Sequence, residues 1–332
     1  MISAGFFILG LVIFGSLVLS FGIGKILDNL ASAGPGLALA VLIWLAIYLL
    51  NTLSWKLALG PAGDATSFGK LFMITVTGFI INYITPVVAL GGESYKVQAL
   101  SGGMGSPGAV SAVVLYRMVH LLGHMLLLLA GIAVAFFVVM LSSPMAVALG
   151  LAGLVILAVI GLTLKGAREG VFDRIAAVVG KYRILTFLAR PVGAYREELA
   201  AMDRVLTGVA RNDRRAFLLS ILLEFISRVL MGVEVWIVLG ALGAGVSPLQ
   251  AIFVYVTYSI AINLFFFIPM NVGAREGGIL LGMESLAIDP ALALSVGVIL
   301  RIREFIWIGV GLLFILFTGR GKAPPAAPDA ES

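Results

Sequence analysis

Ionisable residues recur inside the most apolar stretches of this 332-residue sequence. They are Arg117, Arg228, Arg275, Arg301 and Arg303, with Glu224, Glu234, Glu276 and Glu304. A charge that faces lipid at the centre of a membrane helix costs about 2.5–3.5 kcal/mol, so we expect these side chains to face one another or water. Guanidinium groups gathered around a wet cavity would suit a phosphate, because arginine donates two hydrogen bonds to one anion.

Two groups of these residues have the spacing of neighbours on a helix. Arg117, His120 and His124 fall at i, i+3 and i+7, which places them on one stripe. Glu224 and Arg228 form an i, i+4 pair in the favourable order.

An alternative interpretation assigns the buried charges a structural role only. They would then be internal salt bridges between helices, with Arg228 tied to Glu224 and Arg301 tied to Glu304. Both interpretations stay open at the level of sequence.

Two apolar segments, about 69–98 and 249–288, carry helix breakers. They read "NYITPVVALGGE" and "NLFFFIPMNVGARE", and in each a glutamate follows the proline by seven residues. Proline ends a helix, and backbone groups freed inside a membrane survive only where protein or water covers them. We therefore predict broken or re-entrant helices. The predicted gating positions are Pro86, Gly91, Gly92, Pro269, Gly273 and Gly277.

The half-helix ends beside these breaks carry unpaired amides that favour anions. Together with the buried ions they define one candidate binding set. The predicted substrate-binding residues are Arg117, Arg228, Arg275, Arg301, Arg303, Glu93, Glu276, Glu224, His120, His124, Asn82, Asn263 and Asn271.

Composition indicates the class of protein that positions these residues. Hydrophobic residues make up 61% of the chain and charged residues 12%, which is typical of a polytopic membrane protein. Full spans are expected at 6–23, 37–55, 109–141, 144–164, 216–242 and 291–317. The predicted fold is all-α, with about six full spans and two broken or re-entrant helix pairs, in a single domain over residues 1–320 and a disordered tail over 321–332.

The distribution of basic residues predicts orientation. If both interrupted segments return to the face that they left, sixteen Lys and Arg residues lie on the face that holds 165–215, against one on the other. The positive-inside rule then makes 165–215 and the C-terminus cytoplasmic. The two re-entrant pairs would enter from opposite faces, as in an inverted repeat. We expect the cytoplasmic membrane of a bacterium or archaeon.

Segment 165–215 holds eleven basic and six acidic residues. Tyr195, Leu199, Met202, Leu206 and Val209 share one helical face, which favours an amphipathic helix on anionic inner-leaflet lipids. A helix that binds a soluble partner is the alternative.

Signals for an enzyme or a cofactor are weak. The chain has no cysteine, and "HLLGH" at 120–124 has the spacing of a zincin helix but a leucine where the glutamate base should stand. Nucleotide-binding and serine-hydrolase motifs are absent from the sequence. We expect no metal, no cofactor, no catalysis and no nucleic-acid partner, so that any transport is passive or ion-coupled; the sequence does not define an oligomeric state.

An ordered set of stretches resembles a known family. The stretches are "TLSWKLALG" (52–60), "NYITPVVALGGESYKVQAL" (82–100), "YRMVHLLGH" (116–124), "VEVWIVLGALG" (233–243), "IPMNVGAREGG" (268–278) and "RIREFIWIGVGLL" (301–313). They resemble the membrane region of lysylphosphatidylglycerol synthases, closest to a hopanoid-associated branch. The resemblance implies a lipid translocase module for aminoacylated phosphatidylglycerol or a related amphiphile, without the soluble aminoacyl-transferring domain.

The leading hypothesis is thus a transporter of an anionic or aminoacylated phospholipid, or of a lipid-linked precursor. Two alternatives are a membrane-embedded lipid transferase and a scaffold for a lipid-synthesis enzyme. Product formation in detergent would indicate the transferase, and indifference to mutation of the buried charges would indicate the scaffold.

Overall fold

The protein is a bundle of α-helices. The computed structural model describes residues 34–60, 66–84, 91–170, 213–266, 268 and 271–319, with single positions at 24, 28, 63, 203, 204, 207 and 208. The helices in these ranges are α1 (Gly34–Leu59), α2 (Phe68–Ile84), α3 (Gly91–Val138), α4 (Ser143–Glu169), α5 (Arg214–Ala241), α6 (Pro248–Leu264), α7 (Ala274–Glu284) and α8 (Ala291–Gly319). The predicted all-α polytopic fold is confirmed.

Four of these helices, α1, α3, α4 and α5, are long and apolar enough to cross a membrane. Together with the 29-residue α8, these helices match the five spans predicted from residue 37 onward to within a few residues. The exception is α3, which begins at Gly91, well before the predicted span at 109–141. That 48-residue helix is kinked at Gly105, where φ is 72° and ψ is 163°, and the predicted span begins just after the kink. The predicted span 6–23 lies outside the described residues, as do Pro86, Pro269, most of 165–215 and the tail.

The first interrupted segment is an antiparallel helical hairpin. Asn82, near the end of α2, donates a hydrogen bond to Glu93 in the first turn of α3 (3.2 Å). One turn earlier, Gly78 lies so close to Gly92 that an added Cβ on Gly92 would lie 2.0 Å from the Gly78 carbonyl oxygen. The first section of α3 therefore returns along α2, and Gly92 is required by this close approach.

The second interrupted segment has the same form. The helix α7 packs back along α6, since Gly278 contacts the backbone of Tyr258 and Gly282 contacts that of Val254. With eleven residues, α7 is about 16 Å long. That length is too short for a hydrocarbon core of about 30 Å. Both segments are thus re-entrant hairpins.

The two hairpins enter the bundle from opposite ends. The helices α1 and α5 are antiparallel, because Gly36 lies against Ala241 while Ser54 Oγ donates to the Ser220 carbonyl (2.9 Å). The first hairpin starts where α1 ends, and the second starts where α5 ends. The inverted arrangement predicted from the charge distribution is therefore present in the fold.

We call the end of the bundle where α1 finishes and α5 begins the basic end. It holds Lys56, Lys70, Lys165, Arg168, Arg214 and Arg215, whereas Glu284 and Asp289 lie at the opposite end. Lys96, which the charge count placed at a membrane face, is instead buried inside the bundle, with 1% of its side chain exposed. The positive-inside rule predicts that the basic end is cytoplasmic.

Cysteine labelling tests this orientation, and the chain has no cysteine to interfere. We expect Lys70→Cys, an exposed position, to react with an impermeant maleimide only in inverted vesicles. Asp289→Cys should react only in intact cells. Leu154→Cys, on the exposed apolar surface of α4, is the control that should stay unlabelled from either side. Reaction of positions 70 and 289 from the same side would contradict the topology.

Candidate functional site

A cavity of about 720 Å³ lies where the two hairpins meet the long helices. Asn82 and Tyr83 line it from the end of α2, and Phe266, Ile268 and Asn271 line it from the second break. The remaining lining comes from an earlier turn of α2 and from α1, α3, α5, α6 and α8. Both helix breaks therefore border one chamber.

Eight predicted binding residues line this chamber: Arg117, Arg228, Arg303, His120, His124, Asn82, Asn263 and Asn271. Glu93 and Glu224 lie one contact behind the lining, paired with Arg117 and Arg228. Arg275, Arg301 and Glu276 are not part of it, so three of the five arginines expected to converge do so.

The buried ions form carboxylate–guanidinium pairs. The closest N–O distances are 3.2 Å for Arg228–Glu224, 2.7 Å for Arg303–Glu234, 2.7 Å for Arg275–Glu304, 2.8 Å for Arg301–Glu276 and 3.6 Å for Arg117–Glu93. The expected Arg228–Glu224 pair is confirmed. The expected Arg301–Glu304 pair is wrong, because α7 brings two consecutive charges to α8, and each takes its partner there.

Arg303 ties three helices together. It donates to both oxygens of Glu234 (2.7 and 3.2 Å), and its guanidinium lies 4.0 Å from the ring centre of Trp44 on α1. Trp44 Nε1 also donates to Glu234 (2.8 Å). With 3% and 0% of their side chains exposed, Arg303 and Glu234 are a closed pair with little capacity for a ligand.

Glu304 connects the two hairpins. It accepts from the Tyr83 hydroxyl at the end of α2 (2.5 Å) and from Arg275 at the start of α7 (2.9 Å). One carboxylate on α8 therefore contacts a residue beside each of the two helix breaks.

Arg117 differs from the other arginines. Its side chain is 55% exposed, against 3–11% for Arg228, Arg275, Arg301 and Arg303. Its partner Glu93 also accepts from Asn82 and from Lys96 (3.3 Å), whose ammonium lies 4.9–5.8 Å from the ring centres of Trp55, Phe79 and Tyr116. Arg117 thus has a loosely held guanidinium inside the chamber.

The two histidines make different contacts. His120 Nδ1 lies 2.9 Å from Glu224 Oε2, and Gly123 permits this, because a Cβ there would lie 2.6 Å from the Glu224 Cβ. His124 Nε2 lies 3.4 Å from the amide nitrogen of Asn263. The contact between α3 and α6 at His124 borders the chamber, next to the exposed Leu121.

The predicted gating glycines begin the second half of each hairpin. Gly91 is the first residue of α3, and the Gly92 amide donates to the Asn82 side chain (2.8 Å). Gly273 has φ +79°, which favours glycine, and its amide donates to Glu276 (2.9 Å). Gly277 lies within α7, where an added Cβ would meet open space.

Two buried polar atoms on the chamber wall have no hydrogen-bond partner within the described part of the chain. They are Asn51 Oδ1 and Arg228 Nε. Buried polar groups of this kind are normally satisfied by water or by a ligand. The chamber is therefore suited to polar contents.

Several chamber residues were not in the predicted set. They include Trp44, Tyr48, Asn51, Tyr83, Glu304 and Trp307. Glu304 was recognisable as a buried ion, but the aromatic residues read as ordinary helix packing. Tyr83 could have been found as the residue that directly follows Asn82 before the break.

Comparison with known proteins places the chain among membrane proteins. A sequence profile described as Lysylphosphatidylglycerol synthase TM region matches residues 7–312. A UPF0104 membrane protein from Methanothermobacter thermautotrophicus is 28% identical over 320 residues, covering 90% of this chain and 88% of the relative.

Proposed function

Since the chain belongs to the family of the lysylphosphatidylglycerol synthase TM region, we propose that it moves a lipid with an anionic phosphate head group between membrane leaflets. The observation that carries the proposal is the exposed guanidinium of Arg117 inside a chamber bordered by both helix breaks. A phosphodiester there would receive charge-assisted hydrogen bonds from the guanidinium.

Charge compensation supports an exchange of partners at Arg117. When a phosphate takes the guanidinium, Glu93 keeps its contacts with Lys96 and Asn82. It is therefore not left as an uncompensated buried charge, which is the usual large cost of breaking such a pair. Glu93 acts as the internal counter-ion while the site is empty.

The shape of the chamber suits a lipid head group rather than a whole lipid. Arg117, Leu121 and His124 lie on one stripe of α3, facing Asn263 and the largely exposed Phe266 at the end of α6. The acyl chains can stay in the bilayer beside α3 and α6 while the head group occupies the chamber. Such an arrangement spares the acyl chains a transfer through polar surroundings.

Glu304 provides a physical link between the two hairpins that alternating access requires. Tyr83 and Arg275, from hairpins that open to opposite ends, meet on this one carboxylate. Movement of either hairpin changes a contact shared with the other, so opening at one end can be linked to closing at the other.

Reconstitution tests the proposal. In liposomes that carry acyl-labelled phosphatidylglycerol, the protein should speed exchange of the label between leaflets, measured by quenching of the outer leaflet. Rates equal to those of protein-free liposomes would refute it. Chemical conversion of the lipid in detergent, where no second leaflet exists, would instead indicate the transferase alternative.

A further inference from the structure

His120 lies between the chamber and a buried carboxylate. Its ring lines the chamber with 21% of the side chain exposed, and Nδ1 contacts Glu224 Oε2 at 2.9 Å. Arg228 NH1 donates to the same oxygen (3.2 Å), and Glu224 itself is 0% exposed. The other oxygen of Glu224, Oε1, has no hydrogen-bond partner within the described ranges.

This geometry fixes the tautomer of His120. An ionised carboxylate only accepts hydrogen bonds, so Nδ1 must carry the proton that points at Glu224. The second nitrogen, Nε2, then has a free lone pair, and no residue in the described part of the chain bonds to it. A proton that binds Nε2 produces an imidazolium beside Glu224 and strengthens the Nδ1 hydrogen bond.

The surrounding charges make proton binding dependent on the occupant of the chamber. On α3 the neighbours are Arg117, one turn earlier, and His124, one turn later. The helix α5 contributes Glu224 and Arg228. The remaining neighbours are Phe79 on α2, Tyr116 on α3, Tyr255 and Asn263 on α6, and Arg303 and Glu304 on α8 across the chamber.

Burial of the ring, Arg228 and Arg117 oppose protonation of His120, whereas Glu224 favours it. An anion that binds Arg117 cancels part of the opposing charge and raises the proton affinity of His120 one turn away. The reverse holds by linkage, because a proton on His120 must raise the affinity for the anion by the same factor.

We propose that His120 binds one proton at Nε2 for each anionic lipid that enters the chamber and releases that proton from Nε2 when the lipid leaves on the other side. The lipid phosphate carries one negative charge and the proton one positive charge, so the transported pair is neutral. This inference rests on the proposed function and adds its driving force, a transmembrane proton gradient.

An equilibrium measurement distinguishes the coupling of lipid movement to protons from the rate of lipid movement. In proteoliposomes with a fixed pH difference, labelled phosphatidylglycerol should accumulate in the leaflet facing the alkaline compartment, relative to protein-free liposomes. One-to-one coupling gives a leaflet ratio of about tenfold per pH unit, because one pH unit is a tenfold ratio in proton activity. An uncoupled transporter keeps the ratio at one, however fast it works. A membrane voltage should not change the ratio.

The variant His120→Gln should equilibrate the lipid without accumulating it, and so return the ratio to one. Arg214→Gln, a neutral replacement at an exposed arginine of the basic end outside the chamber lining, is the control that should keep the wild-type ratio. Should His120→Gln move no lipid, substrate-dependent proton uptake by the wild type, followed with a trapped pH dye, decides the matter. Uptake supports coupling and its absence overturns it.

The outcomes distinguish this inference from the proposed function. If the wild type exchanges the label at an unchanged ratio of one under a pH gradient, coupling is wrong and lipid movement stands. If the wild type exchanges no label under any condition, both fail. Loss of accumulation in His124→Gln but not in His120→Gln would overturn the assignment of the proton site.

Discussion

Replacing Arg303 by alanine should lower the free energy of unfolding by about 3–5 kcal/mol, the cost of removing one partner of a buried ion pair. Among the described residues, Glu234 would keep only its hydrogen bond from Trp44 (2.8 Å), and it would lie uncompensated at 0% exposure. The loss would fall on the contact that joins α1, α5 and α8. We expect a lower midpoint in denaturation from mixed micelles, with reduced yield after purification.

A paired substitution separates charge from packing. The double variant Glu234→Met, Arg303→Met removes both ions and fills similar volume, so it should recover most of the stability lost in the single variant. Arg117→Ala is the matched single control, because its side chain is 55% exposed and its removal leaves Glu93 paired with Lys96. If Arg303→Ala and Arg117→Ala lowered the free energy of unfolding equally, burial would not determine how much each arginine contributes to stability, and the prediction would be wrong.

The sequence predicted the hairpins because their causes are local. A proline between two apolar stretches kinks or breaks a helix through its own missing N–H and ring, and the positive-inside rule favours segments that return over segments that cross. Both arguments need only neighbouring residues or counts. The contacts at Gly78 and Gly92 and at Gly278 and Tyr258 confirm the result.

Ion pairing was not predictable to the same degree. The Arg228–Glu224 pair follows from helical spacing and is present, whereas Arg301 pairs with Glu276 across two helices. Such partners depend on the rotation of α7 against α8, which no local pattern records. Lys96 likewise reads as a loop residue until its ring contacts with Trp55, Phe79 and Tyr116 are seen.

Exposure was the least predictable property. Five arginines in similar apolar sequence differ between 3% and 55% in exposed side chain, and only that difference separates a structural pair from a ligand contact. The proposed role of the arginine cluster therefore narrows to Arg117. Arg275 and Arg301, which the sequence placed beside it, do not line the chamber: Arg275 pairs with the chamber-lining Glu304, and Arg301 pairs with Glu276, which lies outside the lining.

Arg117→Gln should reduce protein-dependent movement of labelled phosphatidylglycerol by about tenfold to a hundredfold, since a hydrogen bond to a charged group contributes about 1.5–3 kcal/mol and each 1.4 kcal/mol is tenfold. Stability should change little, because the side chain is largely exposed and Glu93 keeps Lys96. The measurement is the initial rate of leaflet exchange at equal protein content. Arg214→Gln, the same change at an exposed arginine of the basic end, should retain the wild-type rate.

Affinity measured alongside the rate identifies what Arg117 contributes. If its guanidinium holds the phosphate, Arg117→Gln weakens binding of phosphatidylglycerol to the purified protein as well as slowing exchange, whereas Glu93→Gln strengthens binding, because the internal counter-ion no longer competes. A slower rate of leaflet exchange with unchanged binding would mean that Arg117 acts in the conformational change rather than in holding the head group. Unchanged binding in both variants would remove the chamber from the proposed path, since no other arginine described on its wall exceeds 4% side-chain exposure.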